Sequence, residues 1–121
     1  MPFASRYIYT ASMDVDAEHE ALFEEVYDTE HLPTMLGVPG VLAVARFRTE
    51  PATVVIGGRT LTLPIPGDEP RFTALYEIES PDVLGSDAWA EGVDVGRWPG
   101  EVRPYTGNRR IALRRLVYPA E

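Results

Sequence analysis

The spacing of apolar positions along the chain changes several times, and each change marks an element. Residues 6–13, Arg-Tyr-Ile-Tyr-Thr-Ala-Ser-Met, are aromatic and β-branched and predict a strand. The period then lengthens: Leu22, Phe23, Val26 and Tyr27 form a stripe at helical spacing. Asp14 or Asp16 is expected to cap this helix by accepting from the free amides of its first turn. Pro33 is expected to stop it, and Val38-Pro39-Gly40 turns the chain into a second strand over 41–49. Residues 50–70 read as an insertion, in which two β-rich runs flank Gly57-Gly58 as a tight hairpin. A third core strand follows over 72–79. Ser80-Pro81-Asp82 opens a second helix, with Leu84, Ala88 and Trp89 on its buried side and Gly92 or Gly96 at its end. Residues 98–107 read as a loop and 109–118 as the last strand.

The order is β-α-β, a hairpin, then β-α-β. It predicts one α+β domain over 1–121 with a ferredoxin-like sheet, helices on one face only. Bulky residues fall on both parities of the strands: Tyr7 and Tyr9 against Ile8, Val41 and Phe47 against Leu42 and Val44. Burial of both faces is therefore expected, with an identical subunit covering the free one. The hairpin is expected to pack on that partner or on the sheet edge.

Composition changes this picture only by exclusion. No apolar run approaches the roughly 18 residues a membrane span needs. Residues 1–6 lack the basic start and apolar core of a leader, so a cytoplasmic location is expected. Cys is absent, which removes disulfides, thiolate chemistry and Cys-based metal sites. All 11 basic residues are Arg, so no lysine can form a Schiff base. A net charge of −8 argues against nucleic acid as partner. The charge is uneven: acids crowd the stretch from Asp14 to Glu30 and arginines the C-terminal quarter. This pattern fits either solvated faces or an acidic helix meeting a basic last strand.

Candidate chemistry centres on Tyr27-Asp28-Thr29-Glu30-His31-Leu32-Pro33. A neutral imidazole at His31 could take a proton near pH 7, with Tyr27 one helical turn before it. A histidine there could equally cap the helix C-terminus. His19 stands beside Glu18 and Glu20 and reads as a surface residue. Tyr9, Arg46, Tyr76, Trp89, Trp98 and Tyr105 are candidate pocket lining or, alternatively, core and dimer contacts. Arg46 lies inside a strand and needs a partner: Glu77, another acid, or an anionic ligand oxygen. Two histidines without Cys predict no metal site, and no phosphate loop or nucleophile elbow appears, so no cofactor is expected.

The helix-end run Tyr27-Asp28-Thr29-Glu30-His31-Leu32-Pro33 with Val38-Pro39-Gly40 resembles the dimeric α/β-barrel superfamily, and within it the EthD (ethyl tert-butyl ether degradation) branch. Arg46-Phe47-Arg48 and Leu75-Tyr76-Glu77 also fit. The resemblance spans nearly the whole chain except the hairpin. It implies a homodimer with a pocket between sheet and helices in each subunit. It also implies a small-molecule protein, with cofactor-free proton-transfer, cyclase or oxygenase chemistry on an aromatic or polyketide-like substrate. His31, Tyr27 and Arg46 would then be catalytic, and Tyr9, Tyr76, Trp89, Trp98 and Tyr105 would bind the ligand. The alternative is a non-catalytic binding or structural dimer.

Overall fold

Alternation along the first strand sets the core. In β1 (Tyr7–Val15), Ala11, Met13 and Val15 are buried while the residues between them stay half-exposed, as a pleat with one face on a core requires. The computed structural model describes residues 6–119. Residues 1–5, on which the leader-free expectation rests, lie outside the described residues.

β5 (Phe72–Ile78) repeats the pattern and buries Phe72, Ala74, Tyr76 and Ile78. The sheet is antiparallel with order β2-β5-β1-β6, where β2 is Val41–Arg48 and β6 is Thr106–Arg115. Helical segments cover one face: α1 (Glu20–Val26), α2 (Leu32–Leu36) and α3 (Asp87–Gly92). Phe23 and Val26 drive into the core, with the Phe23 ring 5.0 Å from that of Phe72. The chain is thus α+β with a ferredoxin-like sheet and an inserted hairpin. Among the described residues, no helix is long and apolar enough to cross a membrane.

Several local expectations are corrected. Neither aspartate caps α1. Asp16 makes no side-chain cap bond. Asp14 remains in β1, where it accepts from the Arg71 N–H (2.8 Å) and from Asn108 Nδ2 (3.0 Å). Pro33 does not end the helix. The Leu32 N–H reaches back five residues to the Tyr27 carbonyl, giving a wide π turn over Tyr27–His31, and α2 continues through Pro33 to Leu36. Proline lacks a donor, and it sits at the start of a segment, where donors are free anyway. The second helix splits in two. Ser80 caps a short turn over Pro81–Gly85, and Ser86 caps α3 by accepting from the Trp89 N–H (3.2 Å). Val83 is its buried anchor, with Leu84, Ala88 and Trp89 only half-buried. Residues 98–105 form helical turns and no loop, and they bury Trp98 and Val102.

Among the described residues, nothing covers the second face of the sheet. Ile8, Ala45, Phe47 and Leu75 share it with Thr10, Ser12, Thr73, Arg110 and Arg114, and none of these is buried. Burial on both faces is therefore not realised among the described residues: Tyr7, Tyr9 and Val44 turn to the helices instead. The acidic helix does not meet the last strand either. Its carboxylates pair with Arg46, Arg48, Arg71 and Arg97, while Arg110 of β6 pairs with Asp68 and Glu69.

β3 (Ala52–Ile56) and β4 (Arg59–Leu63) form their own two-stranded sheet. Gly57 (φ 61°) and Gly58 (φ 77°) turn it, as a two-residue turn with positive φ at both positions demands. It does not join an edge of the main sheet, and Val55 and Ile56 are 71% and 58% exposed. Deleting residues 53–63 should leave the unfolding free energy of the remainder within about 1 kcal/mol, as measured by chemical denaturation. A larger loss would show that the hairpin supports the core.

Candidate functional site

Two wide helical turns build one cavity. Tyr27–His31 carries Tyr27 and His31 on its buried side, four residues apart. Trp98–Val102 is a second π turn, closed by the Arg103 N–H on the Trp98 carbonyl. Such inserted turns are rare and gather at functional sites. Here they bring Trp98 over His31: the rings stack with centroids 4.8 Å apart at 24°. Tyr27 meets the imidazole edge-on at 5.1 Å. From the sheet, Tyr76 places its hydroxyl 3.5 Å from His31 Nε2, at the outer limit of a hydrogen bond, and shares a hydrogen bond with Tyr27. Trp89 packs against Tyr9 and Tyr76, each at 5.3 Å.

His31 is 5% exposed, and its Nδ1 has no hydrogen-bond partner among the described residues. Burial, and secondarily the Arg103 guanidinium, holds the imidazole down to about 4. At neutral pH it is therefore uncharged, with a ring-nitrogen lone pair able to accept from a donor. Burial pushes the hydroxyls of Tyr9, Tyr27 and Tyr76 up, so all three stay protonated. The helix-cap alternative for His31 does not hold. The helix runs on to Leu36, and neither ring nitrogen bonds a carbonyl.

The cavity holds about 90 Å³ between sheet and helices. Tyr9, Tyr27, His31, Tyr76, Trp89 and Trp98, all singled out by sequence, line it together. Arg46 and Tyr105 do not. Arg46 faces the helices but is held by Asp28 through paired bonds of 2.9 and 3.0 Å, with Glu24 at 3.6 Å. Its acid partners are Asp28 and Glu24 of the helical segment, the expected 'another acid' and not Glu77. Tyr105 stacks on His19 at 3.6 Å, away from the cavity. Sequence reasoning missed the apolar lining residues Ala11, Met13, Val93 and Ile111 and the two charged ones, Arg103 and Arg109. Asn108, the one asparagine of the chain, was the available signal for the second: it takes φ 49° just before Arg109. Among the described residues, no three His, Asp or Glu side chains gather as a metal set.

One clasp ties the two turns together. Glu30 accepts from the Arg97 N–H (3.0 Å) and from the Arg97 side chain (2.5 Å). These bonds, the backbone one foremost, hold its carboxyl below the usual range. Gly96 makes the approach possible, with φ 72° and a would-be Cβ only 2.5 Å from Glu30 Oε1. Gly96→Ala should cost roughly 1–3 kcal/mol and shift Trp98 fluorescence, read by denaturation and emission. Unchanged values in both would remove the clasp from the site.

No protein-family model matches the chain, and no curated protein matches it in sequence. Solved structures do match in fold. An arginine-to-serine variant of MhuD with two manganese protoporphyrins bound per active site aligns at TM-score 0.59 and 17% identity, covering 95% of this chain and 98% of that one. MhuD from Mycobacterium tuberculosis, a heme-degrader with two hemes in its active site, aligns at TM-score 0.57 and 17% identity, covering 95% and 99%. An EthD family protein from Bacillus halodurans aligns at TM-score 0.55 and 13% identity, covering 88% and 96%. The chain thus shares its fold with these structures.

Proposed function

We propose that the protein binds a small aromatic or polyketide-like molecule in the His31 cavity and moves a proton on it without a cofactor. One observation carries this reading: a buried imidazole, neutral at pH 7, with Nδ1 unpartnered in an aromatic cavity. Unpartnered buried nitrogens are costly, and a ligand is the natural partner. In the reaction a C–H or O–H bond of the ligand breaks, its proton goes to His31, and the electron pair moves onto a ligand oxygen. Trp98, Trp89 and Tyr76 hold the ring and exclude water. The MhuD structures hold hemes. The cavity here, about 90 Å³, lies well below the roughly 300–1,000 Å³ of sites for drug-sized ligands, which favours a substrate smaller than a porphyrin.

The test is deuterium exchange at the acidic C–H of a panel of small enolisable aryl ketones in heavy water. Acceleration over buffer that disappears in a His31 variant supports the reading. No acceleration, with tight binding of a porphyrin instead, replaces it by a heme-binding one.

A second copy is further proposed to cover the open sheet face, through Ile8, Ala45, Phe47 and Leu75, and the exposed hairpin is proposed to reach it. Light scattering should give twice 13.5 kDa at micromolar concentration, and the 53–63 deletion should lower that mass toward the monomer. A wild-type mass of 13.5 kDa would count against the dimer.

A further inference from the structure

Most arginines of known surroundings in this chain are spoken for by acids. Arg46 is held by Asp28, Arg48 by Glu24, Arg71 by Glu20, Arg97 by Glu30, Arg103 by Asp94 and Arg110 by Glu69. Arg109, like Arg59 and Arg115, makes no ion pair and no hydrogen bond among the described residues, but it lines the cavity and its charge acts on the cavity phenols Tyr9 and Tyr27.

Its placement is built. Between the pairs Ser12↔Arg110 and Asp14↔Gly107 the register of β6 slips, so that Asn108 and Arg109 together stand opposite Met13. This is a β-bulge, a device that re-aims a side chain beside a site. Asn108 pins it, with Nδ2 donating to Asp14 Oδ2 (3.0 Å) and to the Asp68 carbonyl (2.8 Å). Arg109 and Ile111 are thereby turned to the helix side, where both line the cavity. Arg109 is exposed to solvent and so stands at the mouth.

The electrostatics of the cavity run against those of the whole chain. The net charge is −8, yet among the described residues no carboxylate lines the cavity. Its titratable lining is one neutral imidazole, three protonated phenols and two guanidiniums. The carboxylate that holds Arg103, Asp94, is not part of the lining. A neutral aromatic ligand has no use for such a field, whereas an anion is drawn to it.

We propose that the cavity selects anions: a small planar carboxylate or enolate whose ring enters among Trp98, Trp89 and Tyr76 while its charged oxygen rests on Arg109 at the mouth. The inference rests on the proton-transfer reading only for the use made of the bound anion. It sets the ligand as ring inward, charge outward. It also explains how a volume of about 90 Å³ serves, because the charged end remains in the mouth.

Benzoate and benzamide are the probes, being alike in shape and different in charge. Each is titrated against the whole protein while NMR follows the Trp98 indole N–H and the His31 ring. Benzoate should shift both signals saturably and bind at least roughly tenfold more tightly than benzamide, the difference shrinking with added salt. Arg109→Gln should abolish the preference, Arg109→Lys should keep part of it, and Arg59→Gln on the distant hairpin should keep all of it. Equal binding of the two probes to wild type overturns the proposal. So does a preference that survives in Arg109→Gln, or an absence of saturable shifts at Trp98 and His31. Failure of deuterium exchange with the benzoate preference intact would remove the proton-transfer reading and leave the anion site standing.

Discussion

Taking the protein from pH 7 to pH 4 should remove about 3 kcal/mol of stability through His31 alone. The sign follows from the depressed pKa. In the unfolded chain His31 takes a proton as the pH falls through about 6.5, whereas in the fold it resists until about 4. Between these values the unfolded state binds more protons, so stability is complete above about 6.5 and declines as the pH falls toward 4. Below that it levels off as far as this group is concerned. Glu30, whose carboxyl is held below its ordinary range, loses its contribution lower, as the pH drops through the acid range beneath 4.5. Denaturation curves at half-unit steps separate the two. The His31→Phe variant keeps a ring of similar size against Trp98 and should be flat between pH 6.5 and 4.5, where the wild type slopes. Parallel slopes in both proteins would show that His31 is protonated in the fold as readily as outside it.

His31→Phe should also abolish catalysis, lowering deuterium exchange on a responsive ketone by roughly 10²-fold or more, with neutral-pH stability within about 1 kcal/mol of wild type. The ring volume and the stack on Trp98 persist in this variant, and only the nitrogens go. His31→Ala removes both, so it should lose the same activity and, in addition, about 1–3 kcal/mol through the cavity it leaves. The pair of variants divides the packing role from the proton. Full exchange activity in His31→Phe would place the base elsewhere.

Much of this arrangement was readable from residue order. The Leu22-Phe23-Val26-Tyr27 stripe, the Gly57-Gly58 turn and the strand periods led to the ferredoxin-like sheet, because each records a local burial pattern. Part of the cavity was readable as well, since Tyr9 and Tyr76 sit where strand periodicity turns them inward, whereas Trp98 stands in a stretch read as a loop. The misses have one physical character. Pro33 reads as a stop because its missing donor normally ends a helix. A five-residue turn just before it lets the helix restart, and nothing in local propensity announces that turn. Arg46 was expected to find Glu77, another acid or a ligand oxygen. Which of these it finds depends on the Tyr27–His31 turn placing Asp28 beside β2, a tertiary fact. Arg109 was passed over because it stands among many C-terminal arginines. Only the bulge pinned by Asn108 sets it apart.

The charge pattern teaches the same lesson. The acidic helix and the basic strand suggested attraction between them, yet nearer arginines on β2 and in the loops take the helix acids first. Short-range partners win because surface ion pairs gain little over longer distances in salt water. What this leaves over, the Arg109 guanidinium at a cavity without lining carboxylates, is the feature that points to an anionic ligand.

The state of the His31 ring bears most directly on the whole account, and nitrogen-15 NMR reads it. Following both ring nitrogens from pH 8 to pH 3 should show a neutral imidazole down to about pH 4.5 and a midpoint near 4. On adding benzoate at pH 7, the Nδ1 signal should move as its vacant position gains a neighbour. A midpoint near the ordinary 6.5, with ring signals indifferent to benzoate, would contradict a buried, neutral proton acceptor waiting for a ligand.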